Sequence, residues 1–486
     1  MAPAKPSVIL YNCLKPLAAS RVTRQAWVRP IARFYRDLDL KLSVSKLLNG
    51  TPLRFEQNCL QSFNGLQTKL QDSSKLIDRL GWGGMQMDDV MLFDGLKVLD
   101  VGSWIAGPVA TTMLADRGAD VLKIEAPITG DGYRQYASLP FTPNAEANYT
   151  WAMDARNKRS MALNLKSAEG IEILHQLIRS CDIYVTNQPI PLRRQLQLNY
   201  EDINHLNPKM IYASLTPYGE LGPDSENEAF DLVAYWNRSG LMDKMRHAGI
   251  EPVQALPGLG DHPTAVAMYA SIVTALLKRA QTGQGSKVHT SLLANGLWSA
   301  SCIAQAALAD GDLSPYDLPR LTGALYKTLD DRWVQLSMIR TDEDFDRLLM
   351  GLDALEVLAD ERFATAELRF ENGAALTQVV RDKFATKTCD QWMTILKTEL
   401  GLPIEAVMRF SDLDNDEHLT LNRMVTRPVE AIGIEKIIND PVNVDGLAQV
   451  GVKKAPELGE HTNAVLSELG FNEDAIEALR DSGIVG

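Results

Sequence analysis

From residue 96 onward the chain alternates between two apolar periodicities. LKVLDVG (96–102) is a short apolar run suited to a buried strand. PVATTMLADRG (108–118) reads as a helix opened by proline and closed by glycine, and ADVLKIE (119–125) as a second strand. The alternation goes on through RSMALNL, the amphipathic SAEGIEILHQLIRSC with Ser167 placed to cap it, and DIYVTN. YEDINHLNP then reads as a helix, KMIYASLTPYG as a strand, TAVAMYASIVTALLKRAQTG as a helix apolar on both faces, and SKVHTSLL as a further strand. Repeated β-α-β units of this kind predict a doubly wound, Rossmann-like parallel sheet.

Beyond residue 300 the strict alternation breaks. WVQLSMI is a strand, while DEDFDRLLMGL, ELRFENGAALTQVVRDKFAT and CDQWMTILKTEL are helical, which predicts a smaller α+β domain. The predicted organisation has four parts: a mostly helical N-terminal extension over 1–93, the large domain over 94–299, the small domain over 300–400, and a C-terminal segment over 401–486. That last segment is expected to return to the large domain, with its final helix in HTNAVLSELGF.

Composition narrows the function. A net charge of −13 over 486 residues argues against a general nucleic-acid binder. The five cysteines (13, 59, 181, 302 and 389) form no CxxC pair, and with the dispersed histidines they point to free thiols and no metal site. No apolar run is of membrane-spanning character, so no membrane partner is expected. Residues 1–36 hold seven Lys and Arg and no acid, a pattern shared by a mitochondrial presequence and a basic N-terminal arm. A cytoplasmic location is expected, with the mitochondrial matrix as the alternative if that stretch is a presequence.

The turn VGSWIAGP has glycines only at 102 and 107 and is no GxGxxG fingerprint, so neither nicotinamide nor flavin is expected. GxxxxGK[ST] and GxSxG are both missing, which argues against a P-loop nucleotide enzyme and a nucleophile-elbow hydrolase. Lys158 and Arg159, ahead of a strand, suit either solvated charges or a phosphate contact, and Arg134 has the same two readings. Asp261, in LPGLGDHPTA, also has two. It can cap the following helix, or it can be a carboxylate kept ionised at a helix N-terminus and able to attack an activated acyl carbon.

Several motifs taken in order resemble the class III (family III) CoA-transferases. They are the opening LKVLDVGSWIAGPVATTMLADRGADVLKIEAPITGDGYR, then NKRSMALNLKSAEG, NPKMIYASLTPYGELGP, FDLVAYWNRSGLM, GLGDHPTAVAMYASIVTALL and LGEHTNAVLSELGF. The resemblance spans about 94–486 and implies an interlocked homodimer. It also implies transfer of CoA from an acyl-CoA donor, with succinyl-CoA the expected one, to a carboxylic acid. The implied path runs through an aspartyl anhydride and an aspartyl-CoA thioester on Asp261, without a metal. Backbone N–H groups around Gly258 and Gly260 are the implied oxyanion donors. The implied CoA contacts are Ile105, Ala106, Leu163, Asn164, Leu165, Lys166, Asn187, Gln188, Phe230 and Asp231.

Departures from the family pattern stand at Ala126, Gln195 and Gln197, where the family often has arginine, arginine and glycine. The phosphates are therefore assigned to Arg134, Arg193 or Arg194 instead. The glycine-rich covering loop of formyl-CoA transferases has no counterpart, which counts against oxalate as acceptor. An acyl-CoA racemase or isomerase on the same fold is the alternative, but Phe230 stands where such enzymes carry a histidine. A non-catalytic CoA-binding protein is the third reading.

Overall fold

The structure is a computed structural model and describes residues 91–246, 249–313 and 320–486. The expected N-terminal extension, and with it the basic stretch at 1–36, lies outside the described residues except for its last three positions. No described helix is long and apolar enough to cross a membrane.

Six strands form one parallel sheet in the order β3-β2-β1-β4-β5-β6. They are β1 (Lys97–Asp100), β2 (Asp120–Glu125), β3 (Arg159–Ala162), β4 (Ile183–Thr186), β5 (Ile211–Thr216) and β6 (Ser286–Ser291). The fold is the expected doubly wound α/β arrangement.

Period-two patterning sends alternate side chains to opposite faces. Val98, Ile183, Val185, Ile211 and Ala213 join one core with helix α1 (Ala106–Ala115). Leu99, Tyr184 and Tyr212 join the other, against helix α3 (Ala168–Ile178). Helix α2 (Tyr149–Asp154) is the short helix leading into β3. The inner strands read as continuous apolar runs because both faces are covered. Ser167 accepts from the N–H of Gly170, as its position before α3 predicts.

Helix α4 (Ile190–Leu196) follows β4, and helix α5 (Asp261–Thr282) crosses between β5 and β6. On α5 the buried residues are Thr264, Ala265, Met268, Tyr269, Ile272 and Ala275, an i, i+3, i+4 stripe. The expectation of two buried faces is not met: Leu277 is 63% exposed. Full burial of a side chain such as Met268 or Ile272 contributes about 1.5–3 kcal/mol.

A separate antiparallel sheet has the order β7-β8-β9, with β7 (Leu325–Lys327), β8 (Trp333–Leu336) and β9 (Ile404–Ala406). Its core holds Tyr326, Phe384 and Trp392. At the chain's end His461 N–H donates to Ser160 O, and Asn164 N–H to Ile484 O. Val465, Leu466 and Val485 thereby enter the second core of the large sheet. A further helix (Glu473–Asp481) follows the one that had been expected to be final.

Candidate active site

The chain winds in opposite directions from β1, toward β2 and β3 on one side and toward β4, β5 and β6 on the other. Doubly wound sheets bind ligands in the crevice at the carboxyl ends of such neighbouring strands. Here that crevice is braced by a two-point clamp. Ser103 N–H donates to Asn187 Oδ1 and Asn187 Nδ2 donates to Ser103 O, both at 2.8 Å. A Cβ on Gly102 would lie 3.1 Å from Asn187 Oδ1, so glycine keeps the clamp closed. Trp104 has φ 63°, a left-handed conformation costly for a bulky residue. Its N–H is held by Asp131, at 3.0 and 3.1 Å from the two carboxylate oxygens.

Beneath this turn the charges are matched. Lys158 Nζ lies 2.9 Å from Asp100, and Lys123 Nζ lies 2.9 Å from Asp131. Lys123 also donates to Gly102 O at 3.0 Å. Burial opposes the Asp100 charge, yet Lys123 and Lys158 hold its carboxyl below the usual range. Lys158 is thus neither a solvated charge nor a phosphate contact; it is an internal ion pair under the first turn. Arg159 is bound to Asp120 and Glu468, and Arg134 to Glu125 while lying over the Trp151 ring at 4.0 Å.

Asp261 is the first residue of α5. The helix cap is Gly260, and no side chain caps this N-terminus. Asp261 is therefore not the expected cap, and among the described residues its carboxylate has no hydrogen-bond partner. It sits in a cluster of acids: burial first, then Asp231 and also Asp154, pushes it up to about 7, with His262 pulling the other way.

Asp231 is buried and accepts from the N–H of Gly260 at 3.0 Å and of Leu232 at 2.8 Å. The N–H of Gly260 is therefore engaged and is not a free oxyanion donor. A Cβ on Gly260 would fall 2.6 Å from Tyr235 Cβ, so only glycine fits there.

Two adjoining cavities run from Asp261 along the strand ends. The inner one, about 260 Å³, is lined by Asp261, Ile105, Ala106, Asn187, Gln188 and Phe230. Trp104 and Phe230 meet edge to face in its wall at 5.2 Å. The outer one, about 430 Å³, is lined by Leu163, Asn164, Leu165, Lys166 and Gln188 among others. Nine of the ten expected CoA contacts thus line one or the other of these two cavities, which share Ser103, Gln188 and Leu192. Asp231 lines neither cavity; it holds the glycine turn from behind. Gln188 belongs to both cavities, and its Oε1 is a buried acceptor without a partner among the described residues.

The arginines expected at the phosphates are committed elsewhere. Arg193 is buried and donates to Gln188 O, Ser214 Oγ and Leu215 O. Arg194 pairs with Glu226 on the surface at 2.6 Å. Lys166, whose side chain forms no ion pair among the described residues, is the cation that lines the outer cavity.

Sequence reasoning missed Asp154 and Tyr133. Tyr133 Oη donates to Asp154 Oδ2 at 2.7 Å, and Asp154 Oδ1 meets His262 Nε2 at 3.3 Å. Their one signal in the sequence is polar residues within otherwise apolar surroundings, which does not reveal partners more than a hundred positions away. Among the described residues no group of His, Cys, Asp and Glu is arranged to hold a metal ion.

On this α/β fold, then, a strand-end groove leads to a crowded carboxylate at a helix N-terminus. The profile described as CoA-transferase family III matches residues 93–462. The chain belongs to CoA-transferase family III and is an acyl-CoA:carboxylate CoA-transferase. It is 32% identical over 403 residues to the (R)-2-hydroxy-4-methylpentanoate CoA-transferase of Clostridioides difficile, covering 81% of this chain and 100% of that protein. It is 29% identical to the succinyl-CoA:glutarate CoA-transferase of Mus musculus, covering 82% of this chain and 91% of that protein. Among solved structures, a CAIB/BAIF family protein from Brucella suis matches with a TM-score of 0.70 at 26% identity. That match covers 78% of this chain and 100% of the other.

Proposed function

We propose that Asp261 is the nucleophile that carries CoA between two acids. The observation that carries this reading is an unbonded carboxylate at the first position of α5, opening into the inner cavity. A carboxylate oxygen of Asp261 attacks the donor thioester carbonyl; the C–S bond breaks, leaving an aspartyl-acyl anhydride and CoA thiolate. The thiolate attacks the Asp261 carbonyl, releases the donor acid and leaves an aspartyl-CoA thioester. The acceptor carboxylate then attacks that carbonyl and expels the thiolate, giving a second anhydride. Attack of the thiolate on the acceptor's acyl carbon forms the new acyl-CoA and restores Asp261. Each step exchanges one activated acyl bond for another, so the sequence balances without ATP.

Partial desolvation favours this role. A carboxylate crowded by Asp231 and Asp154 is poorly solvated and correspondingly nucleophilic in the fraction that is ionised. The groove from Gln188 to Lys166 suits the pantetheine arm and a phosphate, with the Gln188 acceptor free for an amide N–H. Succinyl-CoA remains the donor that the resemblance implies, while the Trp104–Phe230 wall favours an apolar acyl group. A panel containing succinyl-CoA beside branched and aromatic acyl-CoA esters ranks the two by kcat/KM. Phe230, packed on Trp104, stands where racemases of this fold carry a histidine, which favours transfer over racemisation.

Unpartnered apolar side chains along the helices at Leu292–Ser299 and Ser301–Leu308 support a homodimer; Trp298 is 79% and Leu308 81% exposed. Sedimentation at micromolar concentration should give twice the chain mass. The test of the main reading is CoA exchange between an acyl-CoA and a labelled acid. Asp261→Ala should lose about 10⁴-fold or more in kcat, as removal of a nucleophile does. A variant that kept wild-type exchange would sink the assignment.

A further inference from the structure

His262 follows Asp261 on α5, yet its ring turns away to bridge two other segments. Nδ1 lies 3.0 Å from Gly258 O and Nε2 lies 3.3 Å from Asp154 Oδ1. A backbone carbonyl only accepts, and so does a carboxylate such as that of Asp154, whose other oxygen already accepts a hydrogen bond from the Tyr133 hydroxyl at 2.7 Å. A neutral imidazole has one donor and one lone pair, so in this setting one nitrogen would face an acceptor without a proton. Only the doubly protonated ring satisfies both contacts.

The location gives the charge a task. Gly258 has φ +83°, and its carbonyl opens the turn that leads through Gly260 into Asp261. One end of this turn is held by Asp231 at the Gly260 N–H, and the other by His262 at the Gly258 carbonyl. A Cβ on Gly258 would lie 3.1 Å from His262 Nδ1, so the ring and the turn are fitted to each other.

The charged groups facing this ring are few. Among the described residues they are Asp154 on α2 and Asp261 on its own helix. Lys158, on which the Asp154 charge also acts, is committed to Asp100. We propose that His262, as an imidazolium clamped between Gly258 and Asp154, is a positioning residue that holds the glycine turn and offsets the carboxylates crowding Asp261. This proposal rests on Asp261 being the reacting group. Burial opposes the charge, but the Asp154 bond and charge outweigh it and carry His262 up to about 9.

Two measurements test it. In the first, the acid limb of kcat/KM is compared between wild type and His262→Gln, which keeps one donor and loses the charge. The limb should move to higher pH, with about a fivefold to tenfold loss at pH 6.5 that closes by pH 8.5. His262→Lys, which keeps a charge and loses the clamp, should return the limb toward wild type. A loss equal at every pH, or no loss, would overturn the proposal.

The second covers the case in which the variants do not fold. Imidazole NMR of the wild-type chain should show His262 titrating near 9. Titration near the ordinary histidine value, about 6.5, would overturn the proposal. The outcomes are separable: an active Asp261→Ala variant would defeat the nucleophile, while the NMR titration judges the clamp whatever Asp261 does.

Discussion

Beneath the first turn of the sheet, Asp100 and Asp131 are matched by Lys123 and Lys158, with every buried charge bonded. Around Asp261, by contrast, stand Asp154, Asp231 and the His262 imidazole, and among the described residues the Asp261 carboxylate has no hydrogen-bond partner. Asp100 is fully buried and Asp261 partly so, and their two carboxyls shift in opposite directions. The Asp100 carboxyl is held below its usual 3.8, while that of Asp261 is pushed up to about 7. The matched cluster supports a strained turn, and the unmatched one stores the cost of a carboxylate that burial disfavours. Charge balance, more than depth of burial, separates the matched cluster from the one proposed to react.

That contrast can be broken from either side. Lys158→Met should cause the largest change in stability, because among the described residues it leaves Asp100 with Lys123, at 3.9 Å, as its one cation. Denaturant unfolding should show a loss of about 3–5 kcal/mol, as for a broken buried pair. A near-neutral result would mean that the matched cluster is not needed for stability.

Asp261→Asn should act in the opposite sense. The native Asp261 carboxyl titrates near 7 against an unfolded value near 3.8, so the native state holds that proton more tightly. Its contribution is present below about pH 4 and is lost as the pH rises through about 7, where the buried carboxylate ionises. Removing the charge should therefore stabilise the chain at pH 8 by roughly 2–4 kcal/mol, with little gain at pH 4. Thermal melts of both chains at the two pH values check this; a variant less stable than wild type at pH 8 would contradict it.

Gly260→Ala sets a Cβ against Tyr235 and should cost about 1–3 kcal/mol through overpacking. Since the displaced turn carries Asp261, kcat should fall while the KM for CoA changes little. Lys166→Ala is the mildest change. It should raise the KM for the CoA ester a few-fold without touching kcat, the mark of a surface cation worth under about 1 kcal/mol.

The alternating runs made the six-stranded sheet legible, since burial on both faces leaves continuous apolar stretches between turn residues. Asp261 was singled out by its motif, and its local surroundings suggested a cap that the structure gives to Gly260. The difference turns on one residue of helix phase, which a Gly-Asp-His-Pro sequence does not set. The partners of Lys158 and His262 lay beyond reach for another reason. Asp100 and Asp154 are 58 and 108 positions away from them, and only the packed sheet brings them together. Asp231 was expected on the ligand and proved to hold the Gly260 amide, because a motif identifies a residue without giving its direction.

If Asp261 is the nucleophile proposed above, its carboxylate becomes acylated during turnover. Incubating the enzyme with an acyl-CoA, quenching with hydroxylamine and mapping the peptides by mass spectrometry tests it directly. A hydroxamate is expected at Asp261, forming only when acyl-CoA is present and missing in Asp261→Asn. An acyl-CoA-dependent hydroxamate at another carboxylate, or none in an enzyme that is turning over, would contradict it.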